Sequence, residues 1–273
     1  TLATAETSEW TEAWTTFAAL EKNWAYRQDQ LPSTHPIVAE IRDLEDVLVN
    51  FDGITYAKGA SALRQLVAWV GEDNFRKGIN AYFTKHAWGN TELPDLLSEL
   101  EAASGRDLSG WTAEWLQTSG VNLMRADLDL ADDGTFRSVT IVQEPPAMPE
   151  GVAPTLRSHR MALGLYDLTD AGLVRRDRIE LDVVGPRTEV PELAGAKQPD
   201  LLLLNDDDLT FTKVRLDDRS WQTAVAHVGD LVDSMPRALV WGAAWDMVRD
   251  AEVPTGEYVD LVIAGLPRET DIG

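Results

Sequence analysis

One side chain with catalytic potential stands out in the sequence: a tyrosine inside the stretch Asn50-Phe51-Asp52-Gly53-Ile54-Thr55-Tyr56-Ala57-Lys58-Gly59-Ala60-Ser61. Asp52 can cap a helix that begins near Ile54, because its carboxylate can accept the free backbone N–H groups of the first turn. Tyr56 would then lie at the electropositive end of that helix, where a phenol can stabilise a developing oxyanion. The pattern leaves two interpretations open, a phenol aimed into a cleft or a packed core side chain, since aromatic residues at helical spacing are mostly core.

The helix that must position Tyr56 is predicted from the spacing of apolar residues. They recur at intervals of four, three, four and three, at Tyr56, Ala60, Leu63, Val67 and Val70. Such residues share one face of a helix, so the pattern predicts that this face is buried. Gly71 follows as a glycine that ends the helix.

Histidines offer no metal motif in this chain. A zinc hydrolase of the H-E-x-x-H type places two imidazoles one helical turn apart, with a general base between them. The four histidines are His35, His86, His159 and His227, and no two of them are four residues apart. His35 lies in a proline-punctuated loop and is interpreted as a structural hydrogen-bonding residue rather than a catalytic one.

Two acidic segments are also interpreted without a metal. The carboxylates near residue 130 do not have the spacing of a D-x-D-x-D-G calcium loop, and a hairpin turn at 132–135 explains them better; they are Asp127, Asp129, Asp132 and Asp133. The run Asp206-Asp207-Asp208 follows an apolar segment and is predicted to be a solvated turn.

Composition excludes several classes of function. The chain has 273 residues, a net charge of −22 and no cysteine. Disulfides, cysteine-bound zinc and a thiol nucleophile are therefore excluded. Nucleic-acid binding needs clustered Lys and Arg, so no nucleic-acid partner is expected. No apolar run approaches the roughly 20 residues of a membrane span, so no membrane partner is expected either. The acidic, cysteine-free composition, without a signal peptide at the start, favours a cytoplasmic protein.

The periodicity divides the chain into three parts. Residues 1–120 are predicted to be helical, with a helix over 1 to about 30 that places Trp10, Trp14 and Trp24 in the core, and a helix over 108–120 whose tryptophans are also core. At 123–130 apolar and polar residues alternate with the period of a strand, and further strands at 136–143, 160–169, 173–184 and 200–205 predict an antiparallel β-sandwich over 121–215. Helical spacing returns over 216–273, a tail too small to bury its own faces alone.

The stretch 51–63 resembles the Tyr-x-Lys-Gly-Ala helix of the aminopeptidase N family. The members of this family are zinc metallopeptidases with a thermolysin-like catalytic domain. Further stretches are similar to family segments in the same order, at 35–37, 85–96, 108–120 and 211–217. The chain resembles the actinobacterial type of this family, and the resemblance implies a multidomain α + β fold. Its parts would be the C-terminal helical part of the peptidase domain (1–120), the β-sandwich (121–215) and the truncated beginning of an α-helical repeat domain (216–273).

The resemblance also implies a function. In the family the tyrosine of this motif hydrogen-bonds the oxyanion of the tetrahedral intermediate, and the matching residue here is Tyr56. The zinc of the parent enzyme would be held by ligands upstream of this chain, and the substrate would be a peptide with a free N-terminus. The fragment alone is therefore predicted neither to bind zinc tightly nor to cleave peptides.

Two other readings of the chain stay open. It could be a non-catalytic scaffold of the same architecture. It could also be a freestanding carbohydrate-binding or adhesion sandwich, although that reading leaves the flanking helices unexplained.

Overall fold

The computed structural model describes residues 1–270. Its first part is helical, and two helices are entered through π-helical turns, at Phe17–Glu21 and Ile54–Lys58. The helices of this part are α1 (Leu2–Thr7), α2 (Ala13–Thr16), α3 (Lys22–Gln28), α4 (Leu44–Val49), α5 (Gly59–Val70), α6 (Glu72–Lys85), α7 (Leu93–Ser104) and α8 (Ser109–Leu116).

The predicted single helix over residues 1 to 30 is wrong. The chain leaves the helix after Thr7, and the π-helical turn at Phe17–Glu21 adds a residue that rotates the apolar stripe away from its expected direction. Trp10 is 68% exposed and Trp24 is 40% exposed, so neither belongs to the core. Lys22 and Ala25 are buried in their place.

The tryptophans of α8 are buried, as predicted. Trp111 and Trp115 pack in one cluster with Leu66 of α5 and Leu100 of α7. The Trp115 indole N–H donates to the Ser158 carbonyl at 2.8 Å, which satisfies its one polar group. This cluster is the core against which the helix carrying the candidate tyrosine is packed.

Two sheets follow the helices. The strands are β1 (Leu123–Leu130), β2 (Phe136–Glu144), β3 (His159–Thr169), β4 (Gly172–Val183), β5 (Arg187–Glu189), β6 (Leu201–Asp206) and β7 (Lys213–Arg215). One sheet has the order β5-β2-β1-β7 and the other the order β4-β3-β6. The five predicted strands are thus confirmed with shifts of at most one residue at their ends, the segment 211–217 contributes only the short strand β7, and β5 was not predicted.

The prediction of a purely antiparallel sandwich is wrong at one strand pair. β1 and β7 are parallel, with Leu123 opposite Lys213. The chain passes through β6 in the other sheet before it returns beside β1, and it arrives there in the same direction as β1. The alternation of apolar and polar residues does not carry this information, because it is the same for both strand directions.

Three helices complete the described chain, α9 (Asp218–His227), α10 (Ser234–Arg249) and α11 (Thr255–Gly265). Trp221, Val240 and Leu261 of these helices are buried in one cluster with Leu203 of the sandwich. The tail therefore buries part of its apolar surface against the sandwich, while Trp245 and Ile263 stay exposed. The boundaries at 120 and 215 stay predictions, and residues 271–273 of the predicted third part lie outside the described residues.

In the part of the chain that the structure describes, none of the helices has both the length and the apolar character that a membrane crossing requires.

Candidate functional site

Asp52 caps the turn that carries Tyr56, as the sequence predicts. Its Oδ1 accepts the backbone N–H groups of Ile54 and Thr55, each at 3.0 Å. Its Oδ2 lies 2.9 Å from Nε2 of His35. His35 is thus a hydrogen-bonding residue, as interpreted from the sequence, and it supports the cap. A fourth contact holds the start of the turn, because the Gly53 N–H donates to Oε1 of Gln28 at 2.5 Å.

The predicted burial of the Tyr56 helix face is wrong at Tyr56 and Leu63, whereas Val70 on the same face is buried. Tyr56 is 49% exposed and Leu63 is 52% exposed. The first turn is π-helical, so the expected spacing does not hold across it. The inward face instead combines apolar and polar side chains, at Ala57, Lys58, Ser61, Ala62, Gln65, Leu66 and Val70. Gly71 ends the helix with φ = 84°, in agreement with the prediction.

Tyr56 presents its phenol to the surface. Its ring contacts only one other aromatic ring, that of Phe51, at 4.6 Å between centroids, and Phe51 is itself exposed. Within residues 1–270 the Tyr56 hydroxyl has no hydrogen-bond partner, while its backbone N–H donates to the Asp52 carbonyl at 3.0 Å. The packed-core interpretation therefore does not describe Tyr56. Its hydroxyl can donate to a molecule that approaches from outside.

Lys58 occupies the opposite side of the same turn. It is fully buried, and its Nζ lies 2.7 Å from Oδ2 of Asp29 and 3.3 Å from the Gly120 carbonyl oxygen. Burial lowers the pKa of Lys58 to about 8, although the neighbouring Asp29 carboxylate acts in the opposite direction. The sequence reasoning missed both residues. The available signal was a lysine between Ala57 and Ala62 on a small-residue face of the helix.

The acidic run after β6 is not the solvated turn that was predicted. Asp206 and Asp208 are buried. Asp206 accepts the Tyr166 hydroxyl at 2.9 Å and pairs with Arg175 at 2.8 Å, and burial raises the pKa of its carboxyl. Asp208 pairs with Lys22 at 2.5 Å. The cations that make this burial possible come from distant parts of the chain, which is why the local sequence did not reveal it.

The acidic residues near the first hairpin have the role that the sequence predicts. Asp133 Oδ1 accepts the Thr135 N–H at 3.0 Å and closes the turn between β1 and β2. Asp127 and Asp129 form surface ion pairs with arginines, at 2.6 Å and 3.0 Å. Hairpin chemistry therefore accounts for these carboxylates.

Residues 1–270 contain no group of three or more His, Asp or Glu side chains that could hold a metal ion. His35 and His227 each pair with an aspartate, and Nδ1 of His159 lies 2.7 Å from the Thr210 hydroxyl. The side chains of the described residues therefore do not form a set of ligands for the zinc ion that the family resemblance implies. The candidate site in the described residues is therefore the capped turn with the exposed phenol of Tyr56.

Comparison with known proteins relates the two ends of this chain to known domain families. Residues 1–115 match the Peptidase family M1 domain, and residues 201–273 match the ERAP1-like C-terminal domain. The chain is 58% identical to an aminopeptidase N of Streptomyces lividans over 99% of its own length and 32% of that protein.

Other relatives match a smaller share of the chain. A tricorn protease-interacting factor F2 of Thermoplasma volcanium is 37% identical over 41% of this chain and 14% of that protein. A leucyl aminopeptidase of Saccharolobus solfataricus is 36% identical over 42% of this chain and 15% of that protein. The resemblance to the aminopeptidase N family is thereby confirmed, and the chain spans about a third or less of the length of these relatives.

Proposed function

We propose that this chain is a segment of a zinc-dependent metallo-aminopeptidase, in which Tyr56 stabilises the oxyanion of the tetrahedral intermediate. The observation that carries the proposal is the half-exposed phenol at the capped end of a helix, with a hydroxyl that no described residue uses. The similarity to proteins named aminopeptidase supports the same reaction class. The substrate would be a peptide with a free N-terminus, from which the first residue is hydrolysed.

The proposed chemistry of Tyr56 follows from where charge develops. Attack on a peptide carbonyl turns its oxygen into an oxyanion, and a hydrogen-bond donor fixed in advance stabilises that charge without reorganising. The cap by Asp52 and the contact of Gly53 with Gln28 fix the turn before the substrate arrives. Zinc in the parent enzyme would supply an activated water, and its ligands would come from residues outside this chain.

The test is Tyr56→Phe in the full-length protein that contains this segment. The variant removes the donor and keeps the ring, so KM should change little while kcat falls about 100-fold or more, the usual loss for one oxyanion donor. Tyr82→Phe is the matched control, because the Tyr82 hydroxyl already has a partner within the chain, the Thr91 hydroxyl at 2.5 Å. An unchanged kcat in Tyr56→Phe would refute the assignment of Tyr56, whereas a wild-type full-length protein that cleaves no peptide would favour the non-catalytic scaffold.

The isolated chain is proposed to be inactive. Purified 1–273 should contain far less than one zinc per chain by elemental analysis and should release no product from an aminoacyl p-nitroanilide. Stoichiometric zinc in this material would contradict the proposal that the ligands lie elsewhere. A cytoplasmic location also stays a prediction.

A further inference from the structure

The turn that carries Tyr56 has an outer and an inner side chain. Lys58 follows Tyr56 by two residues within the π-helical turn Ile54–Lys58. Tyr56 is half exposed, whereas Lys58 is completely inaccessible to solvent. The same short piece of backbone therefore holds the phenol outward and an ammonium inward.

The inward ammonium is tied to a carboxylate that joins three segments. Lys58 Nζ lies 2.7 Å from Oδ2 of Asp29, the residue that follows α3. Asp29 Oδ1 accepts the Gly120 N–H at 2.8 Å and the Thr34 hydroxyl at 2.6 Å. Gly120 also accepts from Lys58 through its carbonyl oxygen at 3.3 Å. The turn is thus anchored to the end of α3 and to the segment that leads into β1.

The phenol has little support of its own. Among the described residues, the one aromatic ring that it contacts is that of Phe51, which is 63% exposed. Because surrounding side chains do not enclose the ring, the position of the hydroxyl depends on the backbone of the turn. That backbone is held at its start by the Asp52 cap and at its end by Lys58.

We infer that Lys58, anchored by Asp29, is a positioning residue that sets where the Tyr56 hydroxyl points. Lys58 is buried and cannot touch a substrate, so it acts only through the turn. The inference rests on the proposed function of Tyr56. Two charged groups act on Lys58 from the elements packed around it, the Asp29 carboxylate and the Arg157 guanidinium. Burial lowers the pKa of Lys58 to about 8, with Arg157 acting in the same direction, so the side chain is the ammonium at neutral pH.

The test is a double-mutant cycle in the full-length protein. The pair Lys58→Met/Asp29→Asn removes both charges of this ion pair together, so neither of the two is left in the interior without the other. We expect kcat to fall about 10- to 100-fold with KM nearly unchanged, since small misplacements of a catalytic group have effects of this size. Added to Tyr56→Phe, the pair should lower kcat by no more than about twofold further, because the donor that it positions is already gone.

A matched control is available in a second buried pair of the same composition. Lys22 and Asp208 lie 2.5 Å apart and are also buried, and among the described residues no hydrogen bond or ion pair joins either of them to the turn 54–58. Lys22→Met/Asp208→Asn should leave kcat unchanged, both alone and with Tyr56→Phe. Two results would overturn the inference while the role of Tyr56 stands. In the first, Lys58→Met/Asp29→Asn leaves kcat unchanged. In the second, it lowers kcat by the same factor with and without Tyr56→Phe. An unchanged kcat in Tyr56→Phe alone would instead overturn the proposed function, and the inference with it.

A second variant keeps the test decisive if the pair replacement fails to fold. Lys58→Arg keeps the charge but brings a larger, planar head group into a filled site, so it should shift the turn and show the same non-multiplicative loss of kcat. The 19F resonance of 3-fluorotyrosine placed at position 56 reports on the contact with Phe51. It should move in Lys58→Arg and stay in place in Lys22→Arg, and equal spectra in both would refute the positioning role.

Discussion

Replacing Lys22 by methionine is expected to destabilise the chain strongly, because it breaks a buried ion pair between the first helices and the loop after β6. Lys22 Nζ donates to Oδ1 of Asp208 at 2.5 Å and to the Thr210 carbonyl at 2.7 Å. It also lies 5.6 Å and 5.9 Å from the ring centroids of Tyr26 and Phe211. Methionine can fill much of the same space, so the loss is mainly electrostatic.

The size of the loss in unfolding free energy follows from the contacts that Asp208 retains in Lys22→Met. Its Oδ2 is buried and has no hydrogen-bond partner among the described residues, and Asn205 Nδ2 approaches its Oδ1 at 3.4 Å. Removing one partner of such a pair leaves a buried, uncompensated carboxylate, which costs about 3–5 kcal/mol of unfolding free energy. Adding Asp208→Asn removes that charge, so the double variant should recover most of the loss.

The assay is urea unfolding of the purified chain, followed by tryptophan fluorescence and far-UV circular dichroism. Arg42→Met is the matched control, since Arg42 also pairs with an aspartate, Asp46, at 2.8 Å but at an exposed position. That variant should unfold at the same urea concentration as the wild type. A loss below about 1 kcal/mol in Lys22→Met, or no recovery in the double variant, would refute the reasoning from burial.

Two further predictions concern the Tyr56 turn. Asp52→Ala should lower stability by about 1 kcal/mol and also lower kcat, because Ile54 and Thr55 lose their cap, whereas Asp52→Asn keeps an acceptor and should lose less in melting experiments. Burial lowers the pKa of Lys58 from 10.5 to about 8, so between these values the unfolded chain holds a proton that the folded chain has released. Stability from this group therefore rises with pH over that interval, by about 2–3 kcal/mol. Unfolding of the wild type and of Lys58→Met/Asp29→Asn at pH 7 and pH 9.5 would show it, and equal pH dependence in both would contradict it.

The sequence predicted local structure correctly where that structure depends on residues close together in the chain. The strand Leu123–Leu130 has the predicted bounds, because a half-buried strand alternates apolar and polar residues. The hairpin turn at 132–135, the Asp52 cap and the helix end at Gly71 also follow the prediction. Each of these depends on hydrogen bonds or backbone angles within a few residues.

The neighbouring residues did not show which face of the Tyr56 helix is buried. Two stripes of small and apolar residues run along α5, and the periodicity alone favoured the one that contains Tyr56 and Leu63. The structure buries the other, since Lys58 finds Asp29 there and Gln65 finds the Arg160 carbonyl at 2.8 Å. A polar side chain can face the interior only when a hydrogen-bond or ion-pair partner lies there, and the local sequence does not show which residue that partner is.

The sequence by itself determined the succession of a helical part, a part made of strands and a second helical part, the motif around Tyr56 and the resemblance to the aminopeptidase N family. The tertiary structure decided that Tyr56 is an exposed phenol, that Lys58 and Asp208 are buried charges, and that β7 runs parallel to β1. The physical reason is the distance along the chain between interacting groups. Lys22 and Asp208 are separated by 186 positions, and only the folded chain brings such a cation to such a carboxylate.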